Sequence, residues 1–476
     1  MRILLFFCCI LTPAVLFSQE KEKPWSLQQC IEFALKNNIQ IKQNILNQRI
    51  AAITHLQNKA QFFPSLSGSI SHSYNNGKKI DPFSNEFITG DWSLSQNFSL
   101  SASVTLFGGF QNLNSIKQSS YDLLAAQQDV LKMQNDVSLN IASAYLQILF
   151  AQELLEIARS QSEITKLQAD RTRKLVDAGN LPKGNLFDME AQMAMEEVNV
   201  VNAENSLSFS SLNLMQMINL DTAANFTIAK PDIAPPVEVL LNNTSGHIYD
   251  LALIRQPEIK SAEFKLKSSE KSIVIARAGM FPRLSLSASY GTGYSSLSKY
   301  PTNVPSYLGY APNGDLTSAG DTVLSPQFSD LVYGNSPFND QIDQNLNRSV
   351  GFYLTLPIFN NLQTYSAISR AKISRENAQL TLQLQKDNLR KTIQQAFNDA
   401  ASSLKKFQAS RKAVAAMEES FKYTDQKYNV GAITATDYSD AKNKLTKAKS
   451  DMLQAKYDYV FKLKVLDFYQ GKPITL

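Results

Sequence analysis

The sequence predicts an α+β membrane fold that is internally duplicated. Each chain contributes four strands to a transmembrane β-barrel shared between copies, with very long helices beside it. Three observations predict this: a repeat, four alternating segments of membrane length, and two helical patterns too long for an ordinary globular core. The repeat is plain in the residues. Ala60-Gln-Phe-Phe-Pro-Ser-Leu66 matches Ala278-Gly-Met-Phe-Pro-Arg-Leu284 at an offset of 218 (282 − 64). Leu106-Phe-Gly-Gly109 matches Ile358-Phe-Asn-Asn361, and Asp177-Ala-Gly-Asn180 matches Asn429-Val-Gly-Ala432, both at an offset of 252 (359 − 107 and 431 − 179). The second half therefore carries 34 additional residues (252 − 218). A duplication of this length sets the architecture before any single motif does.

The chain of 476 residues opens like a secretory signal: Arg2, an apolar run from Ile3 to Phe17, then the small Ser18. Cleavage after Ser18 is expected, giving a signal peptide at 1–18. That removes Cys8 and Cys9 and leaves Cys30 as the only mature cysteine, so no intrachain disulfide can form. No other segment is an unbroken apolar run long enough for a membrane helix. The formal net charge of +5 carries no nucleic-acid signal.

Ser26 with Gln29 reads as a capping box, and Ile31, Ala34, Leu35, Ile41, Ile45 and Ile50 continue one helix up to Pro64. The period then changes to two. In 65–74, Leu66, Ile70 and Tyr74 alternate with serines; in 94–106, Leu94, Phe98, Leu100, Ala102, Val104 and Leu106 do so, with Gln96 the exception. The second half repeats the pair, with Leu284, Leu286, Ala288 and Tyr290, then Val350, Phe352, Leu354, Leu356 and Ile358. Each segment approaches the roughly 9–11 residues of a tilted membrane strand. Each pair brackets a loop, about 75–92 and about 291–345; the second holds the surplus residues and shows little periodicity, as an exposed surface loop would.

Long helical patterns follow at about 111–178 and 362–428, each ending near a glycine, Gly179 or Gly431, and each followed by a return helix at about 183–220 or 435–469. The first repeat thus spans 19–220 and the second 247–476, joined by a proline-bearing linker at 221–246. Four strands are too few to close a barrel, since the smallest membrane barrels use about eight. Lipid does not tolerate open sheet edges, because their backbone groups would go unpaired. Several chains must therefore share one barrel, with the serine faces towards water, the apolar faces towards lipid, and the long helices side by side below.

This order of elements resembles the TolC-like outer-membrane efflux proteins. Trp25-Ser-Leu-Gln-Gln-Cys-Ile-Glu-Phe-Ala-Leu-Lys-Asn-Asn38, Phe63-Pro-Ser-Leu66, Phe281-Pro-Arg-Leu284 and Tyr428-Asn-Val-Gly-Ala432 carry the resemblance, which covers the whole mature chain. It implies a homotrimer with a twelve-stranded barrel in the bacterial outer membrane, continuous with an α-helical barrel that extends into the periplasm. It also implies a periplasmic adaptor (membrane fusion) protein as partner, and an inner-membrane pump of the RND or ABC type. The expected function is a passive exit duct of a tripartite efflux or type I secretion system. The competing class is a secreted or periplasmic coiled-coil scaffold or adaptor without a pore; a soluble scaffold gains nothing from four amphipathic strands.

The resemblance assigns a periplasmic constriction to Asp437 and Asp440, which would form two stacked carboxylate rings in a trimer. Read locally, they are two acids in the first turn of a helix, favourable to its dipole. Tyr428 matches the family's gate tyrosine. Where the family has an arginine after the second glycine this chain has Ile433, and where it has an acid after the first it has Asn185, so the family's salt-bridge lock is expected to be missing. Gly179 and Gly431 read as helix C-caps. Trp92 and Tyr290, Tyr294, Tyr300 and Tyr310 suit either the headgroup level or the exposed loop. His55, His72 and His247 form no spaced cluster, and no phosphate loop, nucleophile elbow or zinc signature occurs, so no enzyme activity, cofactor or metal is expected.

Overall fold

The computed structural model describes residues 24–80, 85, 87–88, 92–221, 226–231 and 244–475. The expected signal segment 1–18 lies outside the described residues, as does most of the linker. In chain order the elements are α1 (Leu27–Asn37), α2 (Ile39–Ala60), β1 (Ser65–Asn75), β2 (Lys79–Ile80), β3 (Phe87–Ile88), β4 (Ser93–Gly108), α3 (Gln111–Asp177) and α4 (Lys183–Ile218). The second half runs α5 (Ser245–Arg255), α6 (Pro257–Ala278), β5 (Arg283–Ser295), β6 (Lys299–Pro301), β7 (Tyr307–Leu316), β8 (Thr322–Phe328), β9 (Tyr333–Asn335), α7 (Phe338–Gln344), β10 (Asn347–Thr355), α8 (Gln363–Asn429) and α9 (Ala435–Tyr469). Two compact units result: Met1–Ala51 with Asp122–Leu266 and Asn377–Leu476, and Ala52–Tyr121 with Lys267–Glu376. Each takes segments from both repeats.

The first unit is helical. Its main core joins Cys30, Ile31, Ala34 and Ile41 to Ile141, Tyr145, Ile148 and Leu149 of α3, Leu214 and Ile218 of α4, and Leu453 and Tyr457 of α9. Tyr145 is buried at the centre, and its hydroxyl donates to the carbonyls of Ala229 (2.6 Å) and Trp25 (3.1 Å). Those carbonyls flank a short parallel bridge between Trp25 and Ile228, which ties the linker to the beginning of the first repeat. A second core groups Ile248, Ala252 and Ile259 with Leu389, Ile393 and Ala400 of α8 and Leu466 of α9. One stretch of α3 is long and apolar enough by composition to cross a membrane, although polar residues interrupt it; half of it is buried within the chain, as in a core helix.

The capping box at Ser26 forms as expected. The single helix expected up to Pro64 does not: it breaks at Asn38, whose backbone is extended. The Asn38 side-chain oxygen accepts from the Gln40 and Ile41 amides and so starts α2 as a fresh helix. The second repeat breaks at the matching place, Gln256, because Pro257 disfavours helical backbone before it. Each break is met by the end of a return helix. Asn38 donates to the carbonyl of Met217 (3.1 Å), and Arg255 to that of Gln470 (2.9 Å).

The second unit holds the membrane-length strands. They form one antiparallel sheet in the order β1-β4-β5-β10, so β1 and β10 are its edges. The register matches like with like: Ser67 faces Ser101, Ser101 faces Ser289, and Ser289 faces Ser349. The apolar face lies open in the isolated chain, with Leu66 69%, Ile70 77%, Val350 74% and Phe352 69% exposed. Both strand-to-helix junctions use paired left-handed residues, Gly109-Phe110 (φ 62° and 63°) and Asn361-Leu362 (φ 51° and 60°), at the repeat offset.

The bracketed loops are more structured than the sequence suggested. The first contains the β2–β3 ribbon. The second, expected to show little periodicity, contains the β6–β9 and β7–β8 ribbons and α7. The alternation is hidden there because the β7–β8 register slips near Gly309 and again beyond Pro312. Helix α7 packs on β5, where Phe338 meets the rings of Tyr294 (5.4 Å) and Phe98 (6.4 Å). Tyr290 and Tyr294 therefore belong to β5 rather than to the loop, while Tyr300 and Tyr310 are exposed in the ribbons and Trp92 precedes β4.

Candidate functional site

The two helical turns at Gly179 and Gly431 are built alike. Each glycine has φ +76° and nothing within 4 Å of where a Cβ would stand. Each helix end closes with the same two bonds. Gly179 N–H donates to Val176 (2.9 Å) and Asn180 N–H to Leu175 (2.8 Å); Gly431 N–H donates to Tyr428 (3.0 Å) and Ala432 N–H to Lys427 (2.9 Å). This is the Schellman pattern, which needs a left-handed residue at the turn and so favours glycine.

The return helices start differently. Thr434 and Asp437 form a capping box at α9: the Asp437 amide donates to Thr434 Oγ1 (3.1 Å), and Asp437 Oδ2 accepts from the Thr434 hydroxyl (2.7 Å) and amide (3.4 Å). Helix α4 begins after Pro182 with no side-chain cap, and half-exposed Asn185 occupies the position matching Asp437. Asp437 and Asp440 are both exposed, Tyr438 between them is buried, and Ile433 is half-buried.

Tyr428 stacks on Tyr438 with ring centroids 4.5 Å apart and planes at 26°, and Phe421 stands 5.4 Å from Tyr438. Tyr428 also packs against the cluster of Ala169 of α3 and Met189 of α4, so it joins the two repeats. The Tyr438 hydroxyl is pushed above its ordinary pKa, first by burial and then by the nearby Asp425 carboxylate to which it is hydrogen-bonded. Asp425 also accepts from Asn429 Nδ2 (3.1 Å), and the Asn429 side-chain oxygen accepts from Arg171 of α3. A polar link between the repeats thus exists, from Arg171 to Asn429. Arg171 did not stand out in the sequence, and Asn429 did so only as part of the repeat, because no motif connects positions so far apart.

Deeper in the same unit, Lys442 is buried on the Tyr438 side of α9. It donates to Thr165 Oγ1 (2.6 Å) and the Gln161 carbonyl (3.3 Å). Burial lowers its pKa to about 8, partly offset by attraction to Glu196. Glu196 is itself buried and accepts from Gln192 (3.0 Å) and Asn199 (3.3 Å). A cavity of about 670 Å³ opens beside it, lined by Gln161, Met195, Val198, Asn202 and Thr446 among others. The i, i+4 spacing from Tyr438 was a readable signal that Lys442 shares a buried face. Among the described residues no acidic, histidine or cysteine cluster could hold a metal ion.

Membrane-length strands with one hydroxyl face and one apolar face, in a chain of long helices ending in capped turns, define the class of a membrane-channel subunit. The chain belongs to the outer membrane efflux protein family, whose model matches residues 30–220 and 248–471. Members of this family are outer-membrane channels of efflux and secretion systems. The chain is 25% identical to the outer membrane protein TolC of Escherichia coli K12 over 69% of its own length and 59% of that protein. It is 22% identical to the alkaline protease secretion protein AprF of Pseudomonas aeruginosa, over 92% and 82% of the two chains. Its fold is that of the open-state MtrE outer membrane channel of Neisseria gonorrhoeae, with a TM-score of 0.65, 21% identity, and 94% and 88% of the two chains covered.

Proposed function

We propose that this chain is one subunit of an outer-membrane exit duct that conducts cargo passively from an inner-membrane pump. The observation that carries this is the four-stranded sheet, whose edges β1 and β10 are free and whose apolar face is exposed. In lipid such edges must pair, and the partner that fits is another copy: β10 of one chain beside β1 of the next. Three copies give twelve strands, in line with the family.

In this reading the sheet stands in the outer membrane, the ribbons between β5 and β10 face outside, and the Gly179 and Gly431 turns stand in the periplasm. Asp437 and Asp440 form the periplasmic constriction. Tyr428, Gly431, Gly179, Asn185 and Ile433 form the surrounding tip, where a periplasmic adaptor docks and links the duct to an RND or ABC pump. With Ile433 and Asn185 in place of a charged pair, closure rests on the Tyr428–Tyr438 stack and the Arg171–Asn429 link. The chain supplies a pathway and the pump supplies the energy, so no catalytic residue is assigned.

Single-channel conductance of the mature protein in a planar bilayer tests this. A cation-selective conductance is expected, blocked by divalent or trivalent cations from the tip side in the wild type and not in Asp437→Asn plus Asp440→Asn. Unchanged block in the double variant removes the constriction assignment. A folded oligomer that never conducts removes the duct.

A further inference from the structure

The hydroxyl face of the sheet carries almost no charge. On β1 it presents Ser65, Ser67, Ser69, Ser71 and Ser73; on β4, Ser95, Asn97, Ser99, Ser101, Ser103 and Thr105; on β5, Ser285, Ser287 and Ser289; and on β10, Asn347, Ser349, Gly351, Tyr353 and Thr355. The one charged side chain of this face is Arg283, the first residue of β5, which donates to Thr105 Oγ1 (3.0 Å). The cation of β10, Arg348, lies on the other face over the Tyr290 ring, 5.5 Å from its centroid.

The serines are paired across the strands. Oγ atoms stand 3.1 Å apart at Ser65 and Ser103, 2.9 Å at Ser67 and Ser101, 2.7 Å at Ser69 and Ser99, 2.9 Å at Ser73 and Ser95, and 2.7 Å at Ser289 and Ser349. At Ser67–Ser101, Ser69–Ser99 and Ser289–Ser349 one hydroxyl donates to the other, which leaves one donor and several lone pairs facing outward, whereas Ser65 and Ser73 also reach the carbonyls of Ser103 and Ser95. Such a surface can turn a donor towards an anion or a lone pair towards a cation. A fixed charge cannot, because it attracts cargo of one sign and repels cargo of the other. At its helical end the face borders a cavity of about 620 Å³ lined by Gln57, Gln61, Ser65, Ser103, Ser285 and also Arg283, so the one charge of the face stands there.

We infer that, beyond Arg283 at its helical end, the barrel wall of this duct is a neutral hydroxyl lining that admits polar cargo of either charge sign, so that charge selection is set at Arg283 or outside the sheet. The inference rests on the duct reading, which puts this face towards the lumen. It names the cargo class the wall accommodates: water-soluble molecules, cationic, anionic or uncharged, recognised by hydrogen bonding alone.

Cysteine modification tests it in the full-length mature oligomer reconstituted in lipid. The native Cys30 is a quiet background, being fully buried with its thiol pushed up to about 12. Single variants Ser67→Cys, Ser101→Cys and Ser287→Cys are treated with cationic and anionic methanethiosulfonates, and the rates are normalised to those of a free thiol. The expected cation-to-anion ratio stays within about threefold of unity at all three positions, because hydroxyl dipoles carry no net charge to bias it. Adding Ser101→Asp to the Ser287→Cys variant is expected to move the ratio towards the cationic reagent by about tenfold, or ~1.4 kcal/mol of local potential. A ratio beyond about tenfold without that aspartate overturns the inference, since it reveals a charged wall. So does a ratio that the aspartate leaves unmoved. Leu100→Cys, on the opposite face, separates the two levels. Modification there with none at Ser101→Cys puts the wrong face in water and overturns the duct reading as well.

Discussion

Asp437 and Thr434 hold each other in a reciprocal cap, with the Asp437 amide on Thr434 Oγ1 at 3.1 Å and the Thr434 hydroxyl on Asp437 Oδ2 at 2.7 Å. The acid assigned to the constriction thus also starts α9. Replacing it by alanine removes a cap and a charge together, and the two effects must be separated. Asp437→Ala and Thr434→Ala are each expected to cost about 1 kcal/mol. Asp437→Asn is expected to cost less, because its side-chain oxygen still accepts. Thermal unfolding of the three variants checks the order, and conductance is cleanest to read in Asp437→Asn.

The aromatic stack of Tyr428 on Tyr438 gives a second expectation. Tyr438 is 2% exposed, so Tyr438→Ala leaves a cavity and is expected to cost roughly 3–5 kcal/mol, as large aromatic truncations do. Tyr438→Phe keeps the ring and loses the hydroxyl's bonds to Asp425 and Gln168, about 1 kcal/mol each. Limited proteolysis is expected to cut near the Gly431 turn readily in the alanine variant and slowly in the phenylalanine one.

Lys442 makes the tip region sensitive to alkaline pH. Its folded pKa, about 8, lies below its ordinary 10.5, because burial outweighs the attraction of Glu196. Below pH 8 both folded and unfolded chains hold the proton, and the cost of burying the charge is present in full. Between about 8 and 10.5 the unfolded chain holds more protons, so stability rises with pH. Lys442→Met is expected to raise the melting temperature at pH 7 and to flatten the rise between pH 8 and 10, as seen by comparing thermal scans of the two proteins.

Gly179 and Gly431 have open space where a Cβ would go, so any loss on substitution comes from the backbone alone. Left-handed backbone costs an L-residue roughly 1–2 kcal/mol. Gly179→Ala and Gly431→Ala should therefore destabilise by similar amounts and add when combined, since the turns are separate features. Gly431→Asn is expected to recover part of the loss, because asparagine tolerates this conformation. Thermal unfolding of the two single variants and the double variant reads each of these.

Much of this architecture is legible in the residues. The strands announce themselves because serine and apolar residues alternate at Ser65–Tyr74 and again beyond Ser93, and the long helices because nothing interrupts them before Gly179 and Gly431. What stayed hidden is tertiary. Asn38 breaks a helix only because its side chain caps the next one and its amide group reaches Met217. The β7–β8 ribbon slips register, which erases the period of two. The Arg171–Asn429 link joins positions 258 apart in sequence, and no local pattern predicts it. At the tips, the sequence pointed to Asp437 as a charge; the structure adds that it is also a cap.

Four strands per chain become a barrel only by sharing. Native mass spectrometry of the mature protein, extracted from membranes in mild detergent, tests it most directly. One dominant species of three chains is expected, with no folded monomer. A stable monomer that conducts in a bilayer would contradict it, because β1 and β10 would then have closed on something other than a neighbouring copy.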